Sequence, residues 1–396
     1  MTDALERDTT TVNRTVVITM ALATGVVVAN DYYAQPLEDT LARAFHATTG
    51  AVGLVIMLFQ IGYAIGLATL VPLGDLLERR RLLAVMLGVT VLGLVGMATA
   101  PSLAVLAWAA VLASLTSVAV QVIVPFAAHV AAAHERGKVV GTVMSGLLLG
   151  VLLSRTVSGL VASVAGWRAV FALGGLATAA VAVLLWRQLP TLTPAVQMRY
   201  STLMASVVRL VREEPVLRVR IRYGALTFAS FSAFWVSAGF LLARPPYAWN
   251  NAAIGAFALI GAIGALAAKF AGRLADRGLA RVATGGFLVV MAVSYVALAI
   301  GGQSVVALGI GVALMDLGCQ GAHISNQSLI YSLRPEAHSR LNTAYMTSYF
   351  VAGAIGSGLS AVVYPHFGWS GVCVLGAAFP TVAALLWVGE MTRRRR

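Results

Sequence analysis

The sequence predicts an all-α membrane protein, from its composition and from a regular succession of apolar segments. Of the 396 residues, 59% are hydrophobic and only 11% are charged, a balance too apolar for a water-exposed surface. Windows of about 18 or more apolar residues, long enough to cross ~30 Å of hydrocarbon as helices, recur along the chain. The alternating pattern of a transmembrane barrel is absent, so helices are the structure that satisfies the backbone in lipid.

Twelve spans are predicted. They lie at approximately 14–37, 50–72, 82–100, 103–131, 138–163, 168–188, 221–242, 252–271, 282–301, 304–332, 341–364 and 369–390. The tail 1–13 is polar and lacks an apolar core with a cleavage site, so we expect the first span to stay in the protein. Cys319 and Cys373 fall inside spans and are interpreted as packing residues rather than as a disulfide or a metal pair.

The positive charges predict the orientation. A net charge of +13 could indicate a nucleic-acid partner, but the charges fall almost entirely on one face. Only Arg43, Arg168 and Arg244 lie in the opposite set of loops, and Arg155 lies inside a span. The positive-inside rule then places both termini in the cytoplasm, with the basic tail 391–396 as an anchor. We therefore expect contact with membrane lipids and no nucleic-acid partner.

The longest polar connection, 189–220, divides the chain into two six-helix bundles, 14–188 and 221–390. Within it, apolar residues recur at helical spacing opposite Arg209 and Arg212, which predicts a short helix on the cytoplasmic membrane surface. These apolar residues are Leu203, Val207, Leu210 and Val211.

The two halves repeat each other. "PLGDLLERRR" around Asp75 matches "GRLADRGLAR" around Asp276, and "GWRAVF" at 166–171 matches "GWSGVC" at 368–373. A parallel six-helix duplication is the plan of one large transporter class, whose substrate site lies between the halves at mid-membrane.

Twelve helices with this loop signature in each half resemble the major facilitator superfamily. The second copy fits the family pattern at Gly272, Asp276, Arg277 and Gly278, whereas the first copy keeps only Asp75, Arg79 and Arg80. The resemblance implies that these loops form a cytoplasmic gate; the alternative is a plain turn that satisfies the positive-inside rule. "YYAQPL" at 32–37 and "GTVMSGLLLGVLLSRTVSG" at 141–159 resemble bacterial drug or sugar efflux permeases of that family.

Three charged residues lie deep inside predicted spans, where each costs several kcal/mol without a partner. Counted from the cytoplasmic helix ends at ~1.5 Å per residue, Asp31, Arg155 and Asp316 all lie ~25–27 Å up, and His323 lies ~16 Å up. The family plan implies that Asp31 faces Asp316, with Arg155 able to approach Asp31. An acid whose positive neighbour comes and goes is a protonation switch. The alternative is a permanent structural clamp between Arg155 and Asp31.

The tenth span carries a polar stripe. Asp316, Gln320, His323 and Gln327 follow at spacings of four, three and four, which places them on one helix face; Asn326 lies just beside it. The stripe faces either a cavity or a neighbouring helix through interhelical hydrogen bonds. The other predicted cavity residues are Tyr32, Tyr33, Gln35, Gln60, Tyr63, Gln121, Phe234, Trp235, Tyr345 and Tyr349. Such an aromatic lining suits amphipathic or cationic organic molecules.

The sequence predicts a secondary active transporter rather than an enzyme. It has no Gly-x4-Gly-Lys-Ser/Thr phosphate loop and no His-Glu-x2-His pair. We expect proton-coupled efflux of small organic compounds by alternating access, and the alternative is uptake of a metabolite by proton symport. We also expect no cofactor and no metal, a monomer, and a location in the inner membrane of a bacterium.

Overall fold

The structure is a computed structural model. It describes residues 13–132, 135–191, 199–261, 264, 270–274, 277–334 and 337–394. These residues contain helices and no strands. The predicted all-α fold class is therefore confirmed for the part of the chain that the structure describes.

The described residues of the first half form nine helices, and two of them, Leu103–Ser117 and Val120–Val130, divide the predicted span 103–131. The nine helices are α1 (Arg14–Ala29), α2 (Glu38–Ala44), α3 (Thr49–Thr69), α4 (Leu73–Leu76), α5 (Arg79–Ala98), α6 (Leu103–Ser117), α7 (Val120–Val130), α8 (Arg136–Ala165) and α9 (Trp167–Gln188). Capping residues fix several starts. The Thr48 hydroxyl accepts from the Ala51 amide before α3, and the Ser102 hydroxyl accepts from the Val105 amide before α6.

The part of the chain after Leu189 contains the linker helix and the second half. Its helices are α10 (Tyr200–Glu213), α11 (Pro215–Ala243), α12 (Asn251–Phe257), α13 (Ala280–Ile300), α14 (Val305–Tyr331) and α15 (His338–Arg394), with a 3-10 turn at Ala258–Gly261. Gly368, at φ 62°, divides α15 into two helices, which correspond to the last two predicted spans.

Nine helical segments of the described chain are long and apolar enough to cross a membrane, and Arg14–Ala29 and Asn251–Gly261 are shorter apolar helices. The nine include α15 as one continuous segment, although Gly368 interrupts it. The count of twelve crossings and their orientation stay predictions.

The start of α1 and the end of α15 lie at the same end of the molecule. Val17, near the start of α1, packs in one cluster with Leu83 and Leu189. Arg220 at the start of α11 pairs with Glu390 near the end of α15. We call this the terminal end, and the opposite end, with the α1–α3 and α11–α12 connections, the far end.

The first predicted span is not one continuous helix. The helix ends at Ala29, a turn follows through residues 30–34, and a 3-10 turn occupies Gln35–Leu37. Pro36 lies in this 3-10 turn and has no amide hydrogen, so it cannot donate the bond to the Tyr32 carbonyl that a continuous helix would need. Asp31 therefore lies in irregular backbone.

The predicted linker helix is present as α10, but its apolar face is covered by protein. Val207 and Leu210 pack in one cluster with Leu217 of α11 and Leu341 of α15. The Tyr200 hydroxyl also donates to the carbonyl of Thr69, 3.0 Å away in the first half. A protein groove buries this apolar stripe in place of the membrane surface that we expected.

Glycines allow α1 and α8 to touch through their backbones. A Cβ added at Gly146 would collide with the Ala21 carbonyl, and one added at Gly150 would collide with Gly25. Gly141 lies on the same helix with nothing within 4 Å of such an atom. Close backbone contact between small residues is a main source of helix association in membranes.

We predict that Gly146→Ala lowers the unfolding temperature in detergent, since the new methyl group must push α1 away at a cost of ~1–3 kcal/mol. Gly141→Ala is the matched control and should raise stability by ~0.5–1 kcal/mol, because alanine favours helix without meeting a neighbour. Thermal unfolding of both variants measures the difference. Equal shifts would contradict the packing.

Candidate functional site

Arg155 lies at the centre of the interface between the two halves. Its side chain is buried, at 5% exposure, and its Nε donates to the Gln35 Oε1 at 2.6 Å. The guanidinium lies 4.4 Å from the ring centroid of Trp235 in the second half and 4.7 Å from that of Tyr32. Two aromatic faces and one amide therefore hold a positive charge away from water.

Asp316 supplies the negative charge of this centre from the other half. It is also 5% exposed and interacts electrostatically with Arg155 and with Trp235. Its Oδ1 and the Trp235 Nε1 nevertheless make no hydrogen bond of normal geometry with described residues. A Cβ at Gly261 or Gly264 would meet Asp316, so glycines make room for this side chain. No direct ion pair joins Arg155 and Asp316, so the two buried residues act on each other as opposite charges across the interface.

Asp31 lies beside the pair and does not join it. We expected Arg155 to approach Asp31, but the structure turns the arginine to Gln35 and Asp316. The broken backbone after Ala29 directs Asp31 toward the Ser117 hydroxyl, with which it interacts. Tyr32 follows Asp31 in the chain, and its ring centroid lies 4.7 Å from the Arg155 guanidinium, so it connects these two predicted charges.

The polar side chains of α14 are buried to different degrees. The His323 Nδ1 lies 3.2 Å from the Tyr345 hydroxyl, and its ring lies 4.9 Å from that of Tyr349. Asn326 is fully buried next to Tyr345, although its amide makes no hydrogen bond of normal geometry to the described chain. Gln320 and Gln327 are half-buried. His323 is half-buried as well, and it contacts the buried rings of Tyr345 and Tyr349 in the second half.

A small cavity of about 30 Å³ lies between the halves next to Asp31. Of the predicted residues, Asp31, Tyr32, Gln35, Gln60 and Tyr63 line it. The rest of the lining comprises Ala34, Ile56, Phe59, Phe228, Phe231, Ser232 and Phe350. This volume holds about one water molecule, so the central site is nearly closed in this conformation.

A row of aromatic rings begins in this cavity next to Asp31 and runs to Arg155 at its edge. From Tyr63, next to Asp31, successive ring centroids are 4.3 Å to Phe350, 5.0 Å to Phe228, 5.7 Å to Phe231 and 6.2 Å to Trp235. The row ends under the Arg155 guanidinium. Sequence reasoning missed Phe228 and Phe350; the signal was their position one turn before Phe231 and directly after Tyr349.

Three predicted cavity residues point elsewhere. Tyr33 packs against Gly174 of α9, inside the first half. Phe234 is fully buried against Trp235 and Trp369. Trp235 does not line the small cavity but contacts Arg155 at its edge. The turn after Ala29 rotates Tyr33 away from the face that Tyr32 occupies.

A larger cleft of about 340 Å³ opens at the terminal end and contains the first loop motif. Its lining includes Asp75, Arg79, Gln121, Tyr331 and His338. Gln121, predicted for the central cavity, therefore lies in this cleft. The volume falls in the range of pockets that hold small molecules.

The first loop motif links the two halves at this cleft. Asp75 pairs with Arg79 at 3.3 Å and accepts a hydrogen bond from the Ser339 hydroxyl of α15 at 3.3 Å. Arg80 donates to the Leu189 carbonyl and lies 4.4 Å from the Trp186 ring centroid. Asp75 is thus placed where it can hold the halves together.

The second loop motif is only partly described. Gly278 has φ 74°, a left-handed conformation that favours glycine, and the Arg277 amide donates to the Arg273 carbonyl. Gly272 has open space around it. Asp276, the centre of this motif, lies outside the described residues.

The far end is closed by contacts between the halves. The Thr40 hydroxyl donates to the Asn251 side chain at 3.0 Å, and Arg244 lies 3.4 Å from Asp39. Close helix approach adds to this, because a Cβ at Gly53 would meet Ala361 and Val236 of the second half. The structure therefore has an open cleft at the terminal end and a sealed far end.

Two helical halves that seal one end, open the other and place charges between them define a membrane transporter. Residues 20–331 match the family model of the Major Facilitator Superfamily. The chain is 46% identical over 371 residues to the transporter YgaY of Escherichia coli, covering 94% of each chain. It is 34% identical over 390 residues to Probable transporter SCO4007 of Streptomyces coelicolor, covering 95% of this chain and 87% of that one.

A solved structure shares the fold. A bacterial homolog of the human lysosomal transporter Spinster, in an inward-facing and occupied conformation, superimposes with a TM-score of 0.75. The match is 12% identical and covers 94% of this chain and 95% of that one. The chain belongs to the major facilitator superfamily, which confirms the family expected from the sequence. It is a multi-pass membrane transporter and not an enzyme.

We predict strong coupling between Arg155 and Asp316 in stability. Arg155→Met leaves a buried carboxylate without its counter-ion and should cost ~3–5 kcal/mol, whereas Arg155→Met combined with Asp316→Asn should recover at least ~1 kcal/mol. Unfolding temperatures of the two single variants and the double variant in detergent measure the coupling.

The exposed pair between Arg334 and Glu213, at 3.4 Å, is the control for this cycle. Its coupling should be under ~1 kcal/mol, because water screens the two charges. Additive effects of the Arg155 and Asp316 substitutions would show that the central pair does not form.

Proposed function

We propose that the protein carries out proton-coupled efflux of small organic or amphipathic compounds by alternating access. The observation that carries this proposal is that two opposite charges, Arg155 of one half and Asp316 of the other, are both buried where the halves meet. Separating the halves at this level removes the counter-ion of Asp316. A carboxylate left in an apolar interior then binds a proton instead of keeping its charge. Proton binding and the rearrangement of the halves are thereby linked.

The arrangement of the two ends supports alternating access. The terminal-end cleft reaches toward the centre, while the far end is sealed by Asp39, Thr40 and their partners. With both termini in the cytoplasm of a bacterium and the chain in its inner membrane, this conformation faces inward. The outward-facing state then requires the far-end contacts to break and Asp75 to hold the terminal end through α15. A single chain is sufficient for this cycle, so we propose a monomer.

The lining of the central cavity supports the substrate class. Phe228, Phe231, Phe350 and Tyr63 offer aromatic faces, and Asp31 offers one carboxylate. Aromatic faces attract organic cations and bury apolar groups. A sugar would need free polar groups aimed at its hydroxyls, whereas Gln35 already accepts from Arg155 and Gln60 already donates to Ser357. Among relatives, the Probable sugar efflux transporter of Helicobacter pylori, 21% identical, shares the efflux direction that we propose.

The first test is transport by purified protein in proteoliposomes that contain a pH-sensitive dye. Lipophilic cations, sugars and amino acids are added in turn under an imposed pH gradient. We expect a substrate-triggered proton flux that Asp316→Asn abolishes, because asparagine cannot exchange a proton. The protein should still insert and keep its unfolding transition.

Glu213→Gln removes one negative charge from an exposed site and should transport normally. Undiminished proton-coupled pumping in Asp316→Asn would contradict the mechanism. Flux that moves substrate and proton in the same direction would replace efflux by symport.

The aromatic row generates a separate prediction. Phe228→Ala removes the central ring and should raise the KM for a lipophilic cation by about tenfold, the effect of ~1–2 kcal/mol of lost ring contact. Phe367→Ala, at a ring that is 72% exposed, is the control and should change nothing. An unchanged KM in Phe228→Ala would place the substrate elsewhere.

A further inference from the structure

Glu38 is a carboxylate buried at the far-end contact between the halves. Its side chain has 0% exposure, and it begins α2, the short helix between the first two spans. It lies against the backbone of α11, where a Cβ on Gly239 would be 2.8 Å from the Glu38 Oε2 and 2.9 Å from the Gln35 carbonyl oxygen. Glycine at 239 is what lets this acid fit between the halves.

Neither oxygen of Glu38 has a hydrogen-bond partner within the described chain. The adjacent acid, Asp39, is different: it pairs with Arg43 at 2.7 Å and with Arg244 at 3.4 Å. Two neighbouring carboxylates in one helical turn therefore have opposite surroundings. One is neutralised by arginines, and the other has no counter-ion.

Burial without a counter-ion decides the protonation of Glu38. An ionised carboxylate in such a place costs several kcal/mol, whereas its protonated form costs far less. Burial accordingly raises the pKa of Glu38 well above the usual carboxyl range. The charged and titratable groups that surround it are Asp39 and Arg43 on α2, Arg244 at the end of α11, Tyr364 on α15, and Arg155, which is bonded to Gln35.

Burial of Glu38 depends on the closed far end. The three consecutive residues Glu38, Asp39 and Thr40 all contact the second half, at Gly239, Arg244 and Asn251. Moving α2 away from α11 breaks these contacts together and exposes the Glu38 carboxyl to water. The acid is therefore protonated when the far end is closed and free to ionise when it opens.

We propose that Glu38 is a second proton-binding residue, which takes up a proton from water at the far face and holds it while the far end is closed. The proton adds to the ionised carboxylate in the open state, and it leaves to water when α2 and α11 separate again. Gln35 lies one turn earlier and binds Arg155, so the same segment connects this proton site with the central charge pair. The direction of proton movement, but not the binding itself, rests on the proposed function.

The test measures the width of the far end against pH, without any substrate. Cys319 and Cys373 are replaced by serine, and spin labels are attached at Ala44→Cys and Gln303→Cys, exposed positions on opposite halves. Distances are recorded by double electron–electron resonance in lipid nanodiscs from about pH 4 to about pH 9. The closed population should be largest at low pH. It should fall as pH rises from the ordinary carboxyl pKa toward the raised one, by up to about tenfold per pH unit for one proton.

Two variants separate the role of the proton from simple packing. Glu38→Gln mimics the protonated acid and should shift the far end toward the closed state and reduce its pH dependence to the part that Asp316 contributes. Gly239→Ala inserts a methyl group against Glu38 from the other half and should shift the distances toward the open state. Asp39→Asn is the matched control: it weakens the closed state through Arg244, but it should keep the pH dependence.

A pH dependence in Glu38→Gln as large as that of the unsubstituted protein would overturn the proposal, and so would distances in the unsubstituted protein that do not change with pH. If Glu38→Gln does not fold, Gly239→Ala decides: an unchanged closed population would contradict the contact. A pH-dependent far end without substrate-coupled proton flux would contradict the proposed transport function and leave the Glu38 site standing.

Discussion

The structure depends on how one buried positive charge is neutralised. Arg155 lies where the halves meet, and its neighbours come from different parts of the chain. Gln35 and Tyr32 belong to the broken first span, Trp235 to α11 and Asp316 to α14. The arginine constrains the position of each of these elements. Without Asp316 the guanidinium would be an uncompensated charge in an apolar interface. The two halves are therefore held in register by electrostatics, while glycine contacts such as Gly53 with Ala361 supply the close fit.

Much of the fold could be predicted, because the requirements of a membrane are severe. Apolar length, the repeat around Asp75 and the placement of arginines indicate helices, two halves and a family from the sequence alone. The breaks inside spans were harder to predict. Pro36 signals the interruption after Ala29, but hydropathy does not, since an unwound apolar segment and a helical one have the same composition. The true setting of Asp31 depends on that break.

The sequence predicted the residues of the candidate site better than the contacts between them. Asp31, Arg155 and Asp316 stood out because charges inside spans are expensive, and in the structure Tyr32 connects the first two of them. Which acid the arginine would join depended on side-chain directions that the helical count does not contain. Phe228 and Phe350 were missed for a related reason: an aromatic residue in an apolar span is ordinary, and only the packing shows which rings face the cavity.

Glu38 and Asp316 illustrate how one chain can respond to protons at two depths. Asp316 has a positive neighbour, Arg155, across the interface, and this neighbour favours the charged form while the halves meet at the centre. Glu38 has none, so its neutral form is stable while the halves meet at the far end. Separation of the halves changes the protonation of both carboxylates, but in opposite directions. It favours the ionised form of Glu38 and the protonated form of Asp316. Opening the far end reverses the preference at Glu38, and Gln35, one turn away and bonded to Arg155, is placed to transmit that change to the centre.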